Sequence, residues 1–158
     1  MKWISRDKQA TMITEDIAYE VYRKNKLFRI LTKCKKSEDC LIWPSLDTDG
    51  YTTKTSMKLP DGRKVVRRVY RAVFLLERPS QEDVSLEVSH LCHMKACCNI
   101  QHLSQEPHHV NLGRKMCREL GQCTSHRGYS NCILYKGVLQ HTSLITGTTS
   151  CQPRQEDV

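Results

Sequence analysis

Three cysteines and one histidine lie within sixteen residues of one another, as Cys117-x5-Cys123-x2-His126-x5-Cys132. Three sulfurs and one nitrogen close a tetrahedral zinc site, because zinc accepts thiolate and imidazole alike and imposes no d-electron geometry. A second group, Cys92-x4-Cys97-x4-His102, is one ligand short. The fourth has to come from a distance, from Cys40 or Cys34. Cys40 is favoured because it opens a predicted strand, which fixes a side chain better than the Lys-rich surroundings of Cys34. Cys98 should point away from Cys97 and be packed or free, and Cys151 lies in the C-terminal tail. Each structural zinc adds on the order of 10 kcal/mol to folding. The chain has use for that: only 39% of its 158 residues are hydrophobic, with two Phe and two Trp. A small domain so short of bulky side chains needs staples.

Disulfides are the other available staple. Nine cysteines cannot all pair within one chain, and the N-terminal residues Met1 to Lys8 have no apolar segment of the signal-peptide kind. No apolar run reaches membrane-spanning length. The expected setting is intracellular and nuclear, where clustered cysteines bind metal more often than each other. Lys and Arg outnumber Asp and Glu by 25 to 17, a formal charge of +8, so the expected partner is a polyanion, with nucleic acid first.

Residues 14–32 are expected to form a helix. Thr14, Glu15 and Asp16 supply a start signal, and Ile17, Val21, Leu27, Phe28 and Leu31 recur at near-helical intervals. From Cys40 to Arg71 the pattern is antiparallel β. A short strand holds Leu41-Ile42-Trp43, Asp47 to Gly50 is a turn, and Pro60-Asp61-Gly62 joins two further strands. The return strand carries Lys64, Arg67 and Arg68, with Arg63 just before it, and a hairpin this basic can enter a DNA groove as a two-stranded ribbon. Tyr70 to Leu76 fits a short helix stopped near Pro79. Leu86 to Leu91 is a strand with His90 near its end, and Pro107 opens a helix running toward Cys117 that carries Asn111 and Arg114. The organisation expected is an N-terminal helical segment (1–37), a zinc-bound domain (38–132) and a weakly ordered tail (133–158) with a Ser/Thr/Gln-rich composition.

The order Ser89-His90-Leu91-Cys92-His93, then Cys97, Asn99, His102-Leu103, Asn111, Gly113-Arg114 and a second Cys-rich loop from Cys117 to Cys132 resembles the His-Cys box homing endonucleases. These are a branch of the His-Me finger (ββα-metal) nucleases. With Cys40 and the Trp43, Gly50 and Tyr51 pattern, the likeness covers residues 38–132. It implies an α+β fold: a small zinc-stabilised domain of antiparallel hairpins around a ββα-metal motif.

The resemblance further implies divalent-metal-dependent hydrolysis of double-stranded DNA. His90 would be the general base, Asn111 would hold the catalytic Mg²⁺, and two zinc ions would be structural. A neutral imidazole can take a proton from water near neutral pH, and Asn offers Mg²⁺ the hard oxygen it prefers. The family's arginine near the scissile phosphate has Arg63 as its best counterpart here, with Arg67 next. Three departures stand out. Cys98 occupies a position that is often histidine, and the second zinc loop is longer between His126 and Cys132. The dimerising C-terminal arm of the family is not recognisable in residues 133–158, so the tail gives no support to a homodimer. The alternative is a zinc-bearing DNA-binding module without catalysis, which would need neither His90 nor Asn111. A protein-interaction zinc domain fits the charge and the basic hairpin less well.

Overall fold

A computed structural model describes residues 6–134 except 82 and 84. The expected tail from residue 135 onward therefore lies outside the described residues. The chain runs through helix α1 (Arg6–Leu31), strands β1 (Lys35–Ser37), β2 (Cys40–Ile42), β3 (Lys54–Lys58) and β4 (Lys64–Arg68), helix α2 (Val69–Glu77), strands β5 (Glu87–His90) and β6 (Leu103–Glu106), and helix α3 (His108–Leu120). The strands pair antiparallel in three separate hairpins, β1 with β2, β3 with β4 and β5 with β6. This is the α+β architecture of hairpins and helices expected from the sequence.

Helix α2 is the centre of the core. Val69, Ala72, Val73, Phe74, Leu75 and Leu76 are all buried, so it is apolar nearly all round, as a helix with neighbours on every side must be. The Arg78 N–H closes its last turn on the Phe74 carbonyl, and Pro79 biases the residue before it away from helix. Helix α1 lies across α2 through Leu27 and Ile30. Arg23 donates to the Leu76 carbonyl at 2.9 Å, and the Tyr22 hydroxyl accepts from the Lys58 amide at 2.8 Å.

Helix α1 corrects two sequence expectations. It starts at Arg6, not near Thr14. Of the apolar series whose spacing marks the helix, only Leu27 is buried and Leu31 packs beside it, while Ile17, Val21 and Phe28 are exposed. The face that docks is built instead around Tyr22, Arg23, Leu27 and Ile30, where long polar side chains find partners on α2 and β3. The Lys-rich stretch after α1 is a strand and not a plain loop, with Lys35 opposite Ile42 and Ser37 opposite Cys40.

The β3–β4 hairpin turns where Pro60-Asp61-Gly62 marks it. Gly62 has φ +82° and donates to the Leu59 carbonyl, which closes a tight turn whose left-handed position suits glycine. Met57 and Val65, cross-strand partners, face the core. The opposite face carries Lys54 directly across from Arg68 and Lys58 across from Lys64. Arg67 pairs with Thr55 and so belongs to the inner face.

Strands β5 and β6 followed by α3 make the expected ββα unit. Glu87 pairs with Glu106 and His90 with Leu103 across the hairpin. Pro107 caps α3 as an extended residue one position before the first turn, and Gly121 in the left-handed conformation ends it. Inside this unit, Arg114 makes two hydrogen bonds to Glu106, at 2.7 and 2.6 Å. The two side chains are 2% and 0% exposed.

Candidate active site and metal clusters

Two groups of metal-ligand side chains converge among the described residues: Cys40, Cys92, Cys97 and His102, and Cys117, Cys123, His126 and Cys132. In each, the four ligand atoms lie within 4.8 Å of one another. A tetrahedron with Zn–S near 2.3 Å and Zn–N near 2.0 Å has edges of about 3.5–3.8 Å. His102 Nδ1 is 3.6 Å from both Cys40 Sγ and Cys97 Sγ. His126 Nε2 is 3.4 Å from Cys117 Sγ and 3.2 Å from Cys132 Sγ. Both sets therefore have the donor chemistry and spacing to hold zinc.

The first cluster is assembled by pairing between segments far apart in sequence. Cys97 bridges to Ile42, the Cys98 amide donates to the Leu41 carbonyl at 2.7 Å, and the Trp43 amide donates to Ala96. The turn holding Cys97 is thereby stitched to β2, whose first residue is Cys40. The Asn99 side chain caps the short turn that delivers His102, accepting from the Gln101 amide at 3.1 Å. Of the two candidates for the distant ligand, Cys40 is the one inside the cluster. Cys34 instead lies against the core that contains Cys98, its thiol directed at the Ile30 carbonyl at 3.6 Å.

The second cluster hangs from α3, which contributes Cys117. Backbone amides point at its sulfurs, Thr124 N–H to Cys117 Sγ at 3.4 Å and Cys132 N–H to Cys123 Sγ at 3.3 Å. Arg114 also reaches this loop, donating to the Ser130 carbonyl at 2.9 Å and to Cys132 Sγ at 3.5 Å. Beyond Cys132 the Ile133 amide returns to the Leu91 carbonyl at 2.8 Å, and Ile133 packs against the first cluster.

His90 stands at the end of β5, two residues before Cys92 of the first cluster. Its Nε2 is 3.1 Å from the Cys97 carbonyl oxygen. A carbonyl can only accept, so Nε2 carries the proton and Nδ1 keeps its lone pair. The ring rests on Tyr70 with centroids 4.4 Å apart. Burial pushes the imidazole pKa down from 6.5 to about 4, only partly opposed by the Cys97 carbonyl, so His90 is neutral at neutral pH. The same desolvation raises the Tyr70 hydroxyl above its usual value.

Asn111 lies on α3, which packs against β5, and its Nδ2 donates to Glu87 Oε2 at 2.6 Å. The other oxygen of Glu87 is 2.8 Å from His108 Nδ1. The hydrogen bond from Asn111, then that from His108, holds the Glu87 carboxyl below the usual carboxylate range. Neither Glu87 nor His108 was singled out by sequence reasoning. The available signal was the i, i+3 spacing of His108 and Asn111, which puts both on one helical face. Arg71 is a second addition. It donates from Nη2 to the Leu86 carbonyl at 3.2 Å, and its buried Nε has no partner among the described residues.

The remaining expected site residues lie on the β3–β4 hairpin. Arg63 is at its turn, its side chain 73% exposed and bonded to Asp61 at 2.6 Å. No contact joins it to His90 or Asn111 among the described residues. Lys64 is exposed on the outer face with Lys54 and Lys58. Arg68 shares that face but is engaged, paired with Asp47 and stacked over the Tyr51 ring at 4.8 Å. Arg67 is on the other face.

Residues 61–142, just over half of the 158, match the family model described as the zinc-binding loop region of homing endonuclease. The chain belongs to that family. The match spans β4 through the second cluster, including seven of the eight cluster ligands, with Cys40 outside it. Comparison with curated proteins and with solved structures finds no match. No helix among the described residues is long and apolar enough to cross a membrane.

Proposed function

We propose that this protein is a divalent-metal-dependent DNA endonuclease that hydrolyses phosphodiester bonds, with two structural zinc ions. The observation that carries the reading is the state of His90. Its Nε2 is committed to the Cys97 carbonyl, and burial keeps the ring neutral. Nδ1 is thereby left as a base in a protein whose family cuts DNA. His90 takes a proton from the attacking water at Nδ1. The Cys97 carbonyl then favours the resulting imidazolium, since Nε2–H remains its donor.

Asn111 fits a hard cation such as Mg²⁺. Its amide nitrogen is occupied by Glu87, which leaves the carbonyl oxygen, the atom type Mg²⁺ prefers. When bound, the ion supplies positive charge at the phosphate and the departing 3′-oxygen. The two zinc groups hold the connection between β5 and β6 and the loop after α3 and take no part in the chemistry.

Double-stranded DNA is the partner this reading requires, and the outer face of the β3–β4 hairpin suits it. Like charges directly opposite across a hairpin destabilise it, yet Lys58 faces Lys64, whereas the Arg68 across from Lys54 is already paired with Asp47. A polyanion laid on this face offsets the repulsion. Arg63, at the hairpin turn, would contact the DNA backbone.

The test is His90→Ala in the zinc-loaded protein. Cleavage should fall by about 10²- to 10⁴-fold, the usual loss for a general base, while zinc content and DNA affinity stay at parental levels. Parental cleavage by the variant would remove His90 from the mechanism. DNA binding without cleavage by the parent itself would replace the enzyme with a zinc-bearing DNA-binding module.

A further inference from the structure

Every hydrogen bond Asn111 makes through its side chain runs to one carboxylate, Glu87, among the described residues. An amide can be turned either way round, because its oxygen and nitrogen are nearly the same size. Which atom faces which way is decided by the partner. An ionised carboxylate has no proton to donate, so the atom of Asn111 that meets Glu87 Oε2 at 2.6 Å has to be the nitrogen. The oxygen is then turned away from Glu87. Glu87 is itself held at its second oxygen by His108 Nδ1 at 2.8 Å. Because His108 and Asn111 are one turn apart on α3, the carboxylate is gripped at both ends by a single helix face.

We infer that Glu87 is a positioning residue for the divalent-cation site, orienting the Asn111 amide so that its oxygen is presented to the metal. The inference rests on the proposed role of Asn111 and deepens it. Glu87 does not touch the ion; it acts through Asn111, as outer partners of metal ligands commonly do. With the amide free to flip, a large share of molecules would present two N–H donors to a cation, which repels them. His108 holds the carboxylate by its other oxygen, and Glu87 in turn ties β5, the strand that ends in His90, to the helix that carries Asn111.

The test compares the parent with Glu87→Gln, which keeps the shape of the side chain but can donate as well as accept, and with Glu87→Ala. Mn²⁺ is titrated into ¹⁵N-labelled, zinc-loaded protein, and broadening of the Asn111 side-chain amide signals reports its binding. Loss of an outer partner typically weakens metal binding about 10- to 100-fold. Both variants should therefore need correspondingly more Mn²⁺, Ala more than Gln, with two zinc ions retained as the check on folding. In DNA cleavage the Mg²⁺ concentration for half-maximal rate should rise by a similar factor, and the rate at saturating Mg²⁺ should change little. Equal Mn²⁺ requirements in parent and variants overturn the positioning role, even if the parent cleaves DNA. A parent that cleaves nothing, while the variants still bind Mn²⁺ more weakly at Asn111, overturns the nuclease reading and leaves the positioning role standing.

Discussion

At the scale of single residues, the hydrogen bond from His90 Nε2 to a carbonyl decides which nitrogen can act as a base, and burial decides over what pH range it can. The charged form is disfavoured by desolvation, so the pKa drops from 6.5 to about 4. Between those values the folded protein keeps His90 neutral, whereas the unfolded chain protonates it. Two consequences share that window. The acid limb of the cleavage rate should lie well below pH 6.5, because the base form survives until pH approaches its folded value. Stability should fall as pH drops from 6.5 toward 4, since the unfolded state binds the extra proton there. A single-turnover pH–rate profile, with zinc content measured at each pH, checks the first point. An acid limb at 6.5 would mean an ordinary, solvated histidine.

At the scale of elements, the most exacting arrangement is the one that joins β6, α3 and the second metal loop. Arg114 and Glu106 are both buried and bonded at two points, and Arg114 also holds Ser130 and Cys132. Removing one member of such a pair leaves the other as an uncompensated buried charge, at a cost of about 3–5 kcal/mol. Arg114→Met should therefore unfold at markedly lower urea than the parent when both are zinc-loaded. The double variant Arg114→Met, Glu106→Met should recover part of the loss, because no bare charge remains. A single variant as stable as the parent would show that the pair contributes nothing to the fold.

Elements also show which parts of the chain were legible in its sequence. The hairpin at Pro60-Asp61-Gly62, the strand ending in His90 and the helix after Pro107 announce themselves by turn chemistry and apolar runs, and all three are present. Cys92, Cys97 and His102 and the whole second cluster were legible too, because their spacing is local, whereas Cys40 lies far off in the sequence and had to be weighed against Cys34. Helix α1 misled because its docking face uses Tyr22 and Arg23 as much as apolar residues, while Ile17, Val21 and Phe28 stay in solvent. Strand β1 was hidden because Lys35, Lys36 and Ser37 are all exposed and carry no alternation. Glu87 and Glu106 were hidden for a different reason. Each owes its role to a partner on α3, and one sequence does not reveal such pairings in advance.

On the scale of the whole molecule, two Cys/His clusters draw side chains from within and around the ββα unit, and a cationic hairpin precedes it in the chain. Of the cations behind the net charge of +8, Lys54, Lys58 and Lys64 are exposed together on one hairpin face. Replacing Lys58 and Lys64 by Gln should weaken duplex binding and lower the slope of log K against log salt by about 2, near 0.9 for each phosphate that is no longer neutralised. An unchanged slope would place the DNA elsewhere on the surface.

Whether the chain cuts DNA is read most directly on a plasmid. Zinc-loaded protein, freed of other divalent ions, is mixed with supercoiled plasmid with and without added Mg²⁺, beside the His90→Ala variant. The parent should nick the plasmid only when Mg²⁺ is present, and the variant almost not at all under either condition. Plasmid that is bound by the parent yet stays supercoiled with Mg²⁺ would leave a DNA-binding module without catalysis, and plasmid nicked equally well by the His90→Ala variant would remove His90 from the chemistry.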